Sequence, residues 1–112
     1  MRREVLGLEH VDAALARADP TTAEFQEMVT RYAWGHIWTR QGLDRRMRSA
    51  VTITALVAHG HWPELELHLR GALRNGLTRA EIVEVLLQTA IYCGVPAANS
   101  AFGVARRVLA EE

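Results

Sequence analysis

The chain has almost no sulfur chemistry and no bias of charge. Among its 112 residues there is one cysteine, Cys93, which excludes an internal disulfide and any C-x-x-C pair for zinc or dithiol redox work. Thirteen basic residues balance thirteen acidic ones without a long run of either sign, so there is no electrostatic footprint for nucleic acid or an anionic membrane. Neither HExxH nor a glycine-rich phosphate loop occurs, and no metal site is expected. The uncharged stretch Gln88 to Ala105 is interrupted by Gly94, Pro96 and Asn99 and does not read as a membrane span. The opening MRREVLGLEH lacks the apolar core of a signal peptide. These absences point to a cytoplasmic protein whose partners are a small molecule and further protein subunits.

What is present suits one globular domain over residues 1–112, with 49% hydrophobic and 23% charged residues. Its signals are helical. Asp44 can cap a helix over 45–59, whose later part SAVTITALVAHG is apolar almost all round and reads as a central helix buried on several sides. Thr21-x-x-Glu24 and Thr78-x-x-Glu81 read as capping boxes opening helices over 22–34 and 79–93. Gly94 ends the latter, Pro96 opens a last helix, and Asp19-Pro20 closes an N-terminal one over 8–18. No segment alternates long enough for a half-buried strand, and the length and flanks of the β-branched TITALV favour helix. The expected architecture is all-α, about five helices with an N-terminal helical extension over residues 1–20. Leu67 and the Trp34/Ile37/Trp38 cluster have no evident internal partner, which fits either subunit contacts or core at a helix junction.

The stretch GHWPELELHLRGALRNG, residues 60–76, places His61, Glu64 and His68 three and four residues apart. Pro63 near the start and Asn75-Gly76 at the end bound a helix over 63–75. Leu65, Leu69, Ala72 and Leu73 form its apolar stripe; Glu66, Arg70 and Arg74 make a solvated stripe opposite. Glu64 and His68 fall at the stripe's edge. Two readings stand: an i,i+4 surface pair beside a packed histidine, or the lining of a cleft.

Three segments carry a resemblance: YAWGHIWTRQGLDRRMRSAVTI (32–53), ELELHLRGALRNGLTRAEIVEVLL (64–87) and TAIYCGVPAANSAF (89–102). In order and over about three-quarters of the chain, they resemble the carboxymuconolactone decarboxylase family. The wider superfamily includes alkylhydroperoxidase D-like reductases. The resemblance implies an alkylhydroperoxidase D-like helical domain that assembles into a ring, a homo-oligomer of trimer or hexamer size. The reductase branch carries C-x-x-C-x-x-x-H where this chain has His61, Glu64 and His68. The histidine remains and both thiols are gone, so dithiol peroxide chemistry has no nucleophile here.

The activity implied is removal of CO₂ from 4-carboxymuconolactone, a lactone dicarboxylate, giving β-ketoadipate enol-lactone in protocatechuate breakdown. No cofactor is required, because the electrons left at carbon flow through the ring double bond into the lactone carbonyl. The alternatives are a related enzyme acting on another small carbonyl or peroxide substrate, and a non-catalytic oligomeric subunit. For the decarboxylase, His68 is the expected proton donor or carbonyl polariser, since histidine titrates near neutral pH, and Glu64 would orient its ring. Arg48 and Arg40 are the arginines favoured to hold a carboxylate, preferably the one that stays. Trp34, Trp38 and Tyr92 would offer apolar surface to the departing group, and Asn99 a hydrogen bond to the lactone carbonyl. Cys93 is expected to be a small buried hydrophobe rather than a catalytic thiol.

Overall fold

The computed structural model describes residues 1–17 and 19–111, and among them every regular element is helical. Seven helices occur in order: α1 (Arg2–Leu6), α2 (Leu8–Ala16), α3 (Ala23–Val29), α4 (Arg45–His59), α5 (Trp62–Arg74), α6 (Arg79–Tyr92) and α7 (Val95–Ala110). A π-helical segment, Thr30–Ile37, continues α3 without a break. The count exceeds the expected five because the N-terminal extension is two helices, divided at Gly7.

Local signals fix most of the ends. Asp44 accepts a hydrogen bond from the Met47 amide at 2.8 Å, starting α4 where expected. Thr78 and Glu81 form a reciprocal capping box at α6, with bonds of 2.9 and 3.1 Å. Gly60 sits at φ 69°, the left-handed conformation that lets α4 reverse into α5. The capping box expected from Thr21 does not form. Asp19 instead accepts from the amides of Thr21 and Thr22 at 2.9 and 3.1 Å, an Asx turn that takes the Thr21 amide the box would use, and α3 starts at Ala23 without a side-chain cap.

The helices bury two apolar clusters that share α5. The larger joins Ile53 and Val57 of α4, Leu65, Leu69 and Ala72 of α5, Ile82 and Leu86 of α6, and Ala101, Val104 and Val108 of α7. Cys93 packs against it as a half-buried side chain. The smaller gathers Val5, Leu6 and Val11 with Trp34 and Trp38, and Leu67 of α5 packs on it. Both tryptophans thus have an internal home, while Ile37 is exposed. α4 departs from expectation: Ser49, Ile53 and Val57 are buried, but Val51 is 58% exposed, so one side of this apolar helix lies open.

α1 reaches α5 at Gly71. A Cβ built there would lie 2.8 Å from the Val5 carbonyl oxygen and 3.1 Å from its Cγ1, so the backbones meet where only hydrogen fits. Arg74, exposed as expected of it, also fastens the same joint by donating to the Val5 carbonyl at 3.1 Å. Arg70 does hold Glu66 at 3.2 Å and also Glu111 at 2.7 Å. Gly71→Val should push α1 off α5 and destabilise the protein by about 1–3 kcal/mol, the usual cost of overpacking. Hydrogen exchange should show amides of residues 2–16 losing protection while α4, α6 and α7 keep theirs; uniform loss would show that the extension is not a separable layer.

Candidate active site

His68 faces the smaller cluster, one helical turn from both Glu64 and Gly71 on the same side of α5. Its ring lies nearly parallel to the rings of Trp34 and Trp38, with centroids 6.0 and 6.2 Å away and planes inclined by 7° and 20°. The tryptophans stand 5.4 Å apart. Both tryptophans lie on the π-helical segment, four residues apart and so on one face of it, and the bond from the Trp38 amide to the Ala33 carbonyl at 2.9 Å closes its last wide turn. Such turns are rare and collect at functional sites.

The imidazole is partly buried against the two indoles. Its Nδ1 is buried and has no hydrogen-bond partner. Burial pushes the His68 pKa down to about 4; the nearby Glu64 charge works upward against this, and His10 on α2 adds to the depression. The ring is therefore uncharged at neutral pH, unlike the near-neutral titration expected from its residue type. Glu64 is exposed and acts on the ring through charge, with no hydrogen bond orienting it. His61 takes no part: it is exposed at the N-cap of α5 and stacks on His59 at 5.7 Å.

Of the expected carboxylate binders, Arg48 is the better placed. It lines a cavity of about 130 Å³ with Ile37, Trp38, Leu43, Val51 and Thr52. Its Nε is buried without an acceptor, and one terminal nitrogen donates to the Arg40 carbonyl at 3.2 Å. Arg40 contributes this carbonyl, while its exposed side chain has no contact with the ring cluster. Tyr92, 80% exposed, lies apart from the tryptophans, in a larger apolar cavity of about 570 Å³ between α4 and α6 with Thr54, Ala58, Val85 and Gln88. Asn99 is exposed on the first half of α7. So the chain brings together His68, Trp34, Trp38 and Arg48, with Glu64 at the margin, and leaves Tyr92 and Asn99 elsewhere.

Two residues near the rings come from the extension and carry no sequence motif. His10 lies close enough to His68 to disfavour its protonation, and the His10 pKa is itself held down by burial first and then by the nearby Arg2 and Arg17.

The profile of the Carboxymuconolactone decarboxylase family matches residues 23–107. The chain belongs to that family. It is 43% identical to a 4-carboxymuconolactone decarboxylase of Acinetobacter baylyi over 96% of this chain and 81% of the relative. A nitrosuccinic acid decarboxylase, npaB, of Metarhizium robertsii is 44% identical over 97% of this chain and 76% of its own length. An uncharacterised 15.0 kDa protein of Paracoccus denitrificans is 37% identical over 94% of this chain and 78% of its own.

The buried ring makes stability depend on pH in a definite direction. Above about pH 6.5 the folded and unfolded chains both hold His68 neutral. Below it the unfolded chain takes up a proton that the folded chain refuses until about pH 4, so the folded state loses up to roughly 3 kcal/mol across that window. Urea melts of wild type and His68→Gln should therefore differ in their favour for wild type less at pH 4.5 than at pH 7.5. A difference that stays constant would mean that the folded ring titrates normally.

Proposed function

We propose that this chain is a cytoplasmic, cofactor-independent decarboxylase that converts 4-carboxymuconolactone to β-ketoadipate enol-lactone in aromatic catabolism. The observation that carries the reading is His68 retained without thiols, uncharged, with an unpartnered Nδ1 against two tryptophans, in a chain 43% identical to a decarboxylase of that substrate. The residue inventory supports it from another side. These 112 residues contain no lysine, so the lysine Schiff base that some decarboxylases use as an electron sink is unavailable. A sink within the substrate fits that inventory, and a butenolide conjugated to its lactone carbonyl is one.

The reaction breaks the bond from carbon to the departing carboxylate, moves its electron pair into the ring and onto the carbonyl oxygen, releases CO₂ and adds one proton to carbon. Arg48 supplies a planar fork for the carboxylate that stays. Trp34 and Trp38 offer the departing carboxylate a poorly solvating wall, which favours its conversion to neutral CO₂. His68 takes the remaining role. With a free-enzyme pKa of about 4 it enters neutral, and a bound carboxylate beside it favours protonation, so the proton needed at carbon is recruited by the substrate's own charge. Glu64 assists by the same electrostatics from the margin.

A second substrate deserves the same assay because a relative of equal similarity acts on nitrosuccinic acid. A nitro group, like the butenolide, can take up the electron pair on oxygen. In CO₂-release assays with 4-carboxymuconolactone, His68→Gln should lower kcat at least ~10²-fold while the protein stays folded, Glu64→Gln should cost less, and Cys93→Ser should keep most activity. Normal turnover by His68→Gln would remove the ring from the mechanism, and activity on the nitro acid alone would move the substrate.

We further propose that subunits assemble into a trimeric or hexameric ring through the open face of α4 and α6. Val51, Leu87, Ile91 and Tyr92 are large apolar residues left 50–80% exposed there, around the apolar cavity between the two helices. Val51 also lines the Arg48 cavity, so a neighbour on this face would shield the carboxylate site from water. Light scattering should give a mass several times 12.5 kDa for the wild type. Ile91→Glu, at a position 78% exposed in the single chain, should reduce it to the monomer with helicity intact. A wild-type monomer at micromolar concentration would refute the ring.

A further inference from the structure

A second cavity, about 400 Å³ in volume, separates the N-terminal helices from the π-helical segment, on the Trp34 side of the ring cluster. Val11, Leu15 and the Trp34 ring give it apolar walls, and Thr30, Arg2 and Arg3 contribute its polar groups. Its size is within the range of small-ligand pockets.

The two arginines differ in their state. Arg3 is neutralised by Asp12 at 3.0 Å. Arg2 has no carboxylate partner among the described residues: it donates to the neutral Gln26 side chain at 3.2 Å, and its Nε is buried without an acceptor. The groove therefore holds one guanidinium whose charge is uncompensated, next to apolar and aromatic surface. Asp12 is engaged by Arg3, and His10 brings no negative charge: burial first, then the nearby Arg2 and Arg17 cations, oppose its protonation. An uncompensated guanidinium beside apolar walls matches a carboxylate on a flat or aliphatic carbon skeleton.

We infer that this groove binds a small organic carboxylate, held by the Arg2 guanidinium with its carbon skeleton against Val11, Leu15 and Trp34. The helices that supply Arg2, Val11 and Leu15 precede the residues matched by the family profile, so the site belongs to the extension laid over the common domain. It is distinct from the Arg48 cavity, which opens beside Trp38. Trp34 is shared between this groove and the His68 stack, which gives an occupant a direct contact with the ring cluster. The assignment of a ligand does not depend on the proposed decarboxylation.

Benzoate is the probe, titrated into the full chain at pH 7 and followed by NMR. Saturable shifts are expected at the Val11 and Leu15 methyls and the Trp34 indole. Arg2→Gln should weaken the binding at least tenfold and Arg2→Lys less, because lysine keeps the charge and loses the fork. Circular dichroism melts report whether each variant folds. Leu15→Glu, at a position 44% exposed, is the independent test: it places a carboxylate beside Arg2 and should block benzoate without disturbing the core. The inference is overturned by the absence of saturable shifts in the groove, by unchanged affinity in folded Arg2→Gln or Leu15→Glu, or by shifts confined to the residues around Arg48. In the CO₂-release assay, competitive inhibition by benzoate would assign the groove to the substrate, and non-competitive or no inhibition to a separate acid; the ligand class stands in each case. A chain that binds benzoate through Arg2 and releases no CO₂ from either substrate would sink the decarboxylase and leave the groove.

Discussion

The contact between the Val5 carbonyl and Gly71 governs the site. At 2.8 Å from a notional Cβ it permits no side chain, and so it brings the N-terminal layer down to the backbone of α5. Leu67, one turn before Gly71, then meets Val5, Leu6 and Val11 instead of solvent, and His68 is closed in between that layer and the tryptophans. The depressed basicity of His68 follows from this enclosure, since loss of water is the largest influence on it and penalises the charged ring. A glycine on one turn thus sets the protonation state of a histidine on the next.

α5 can play this part because its three faces have different tasks. Leu65, Leu69 and Ala72 belong to the main core, Glu66 and Arg70 face outward into ion pairs, and Leu67, His68 and Gly71 face the extension. The main core shares no buried residue with the cluster on the third face. That separation lets the second cluster carry features a core would reject: buried nitrogens without partners and an uncompensated guanidinium, each costly to leave unsatisfied. Arg2 and Arg48 share this condition, each with an unpartnered Nε and each lining a cavity walled by one of the two tryptophans. By contrast Arg3, Arg45, Arg46 and Arg70 are held by carboxylates. Unmet donors beside small cavities are what an anionic ligand would satisfy.

The sequence was most legible where a residue acts on its own neighbours. The Asp44 cap, the Thr78–Glu81 box and the stop at Asn75-Gly76 each involve groups within a few residues, and α4 to α7 begin and end within a residue or so of where those signals put them. At Thr21 the box is missing one of its two donors, because Asp19 already takes the Thr21 amide that Glu24 would have capped, a contest the motif does not display. The π-helical run to Ile37 was hidden as well, since nothing in TRYAWGHI marks a change from i−4 to i−5 bonding. Of the candidate site, His68 and Arg48 are picked out in the sequence by their residue chemistry and place on their helices, and Trp34 and Trp38 by the apolar wall that the implied reaction asks for. Their mutual arrangement is not, because it depends on α1 and α2 crossing more than sixty residues of chain to reach α5. Arg2 and His10 become notable only after that crossing.

The loss of the thiols and the burial of the histidine make one chemical argument. A peroxide-reducing dithiol needs a thiolate, and so a site that stabilises negative charge on sulfur and admits water and oxidant. Here the positions that carry cysteines in the reductase branch hold His61 and Glu64, both exposed, and the retained histidine has no adjacent nucleophile to activate. What remains is a neutral base in a dry aromatic recess, with arginine forks nearby and no lysine in the chain. Such a recess does little to a neutral molecule. For a carboxylate it withdraws solvation from the anion, favours protonation of the ring through the anion's own field, and leaves the electron pair to the substrate's conjugated oxygen. In the proposed reaction, substrate charge would therefore both arm the acid and supply the instability, a division of labour that needs no sulfur.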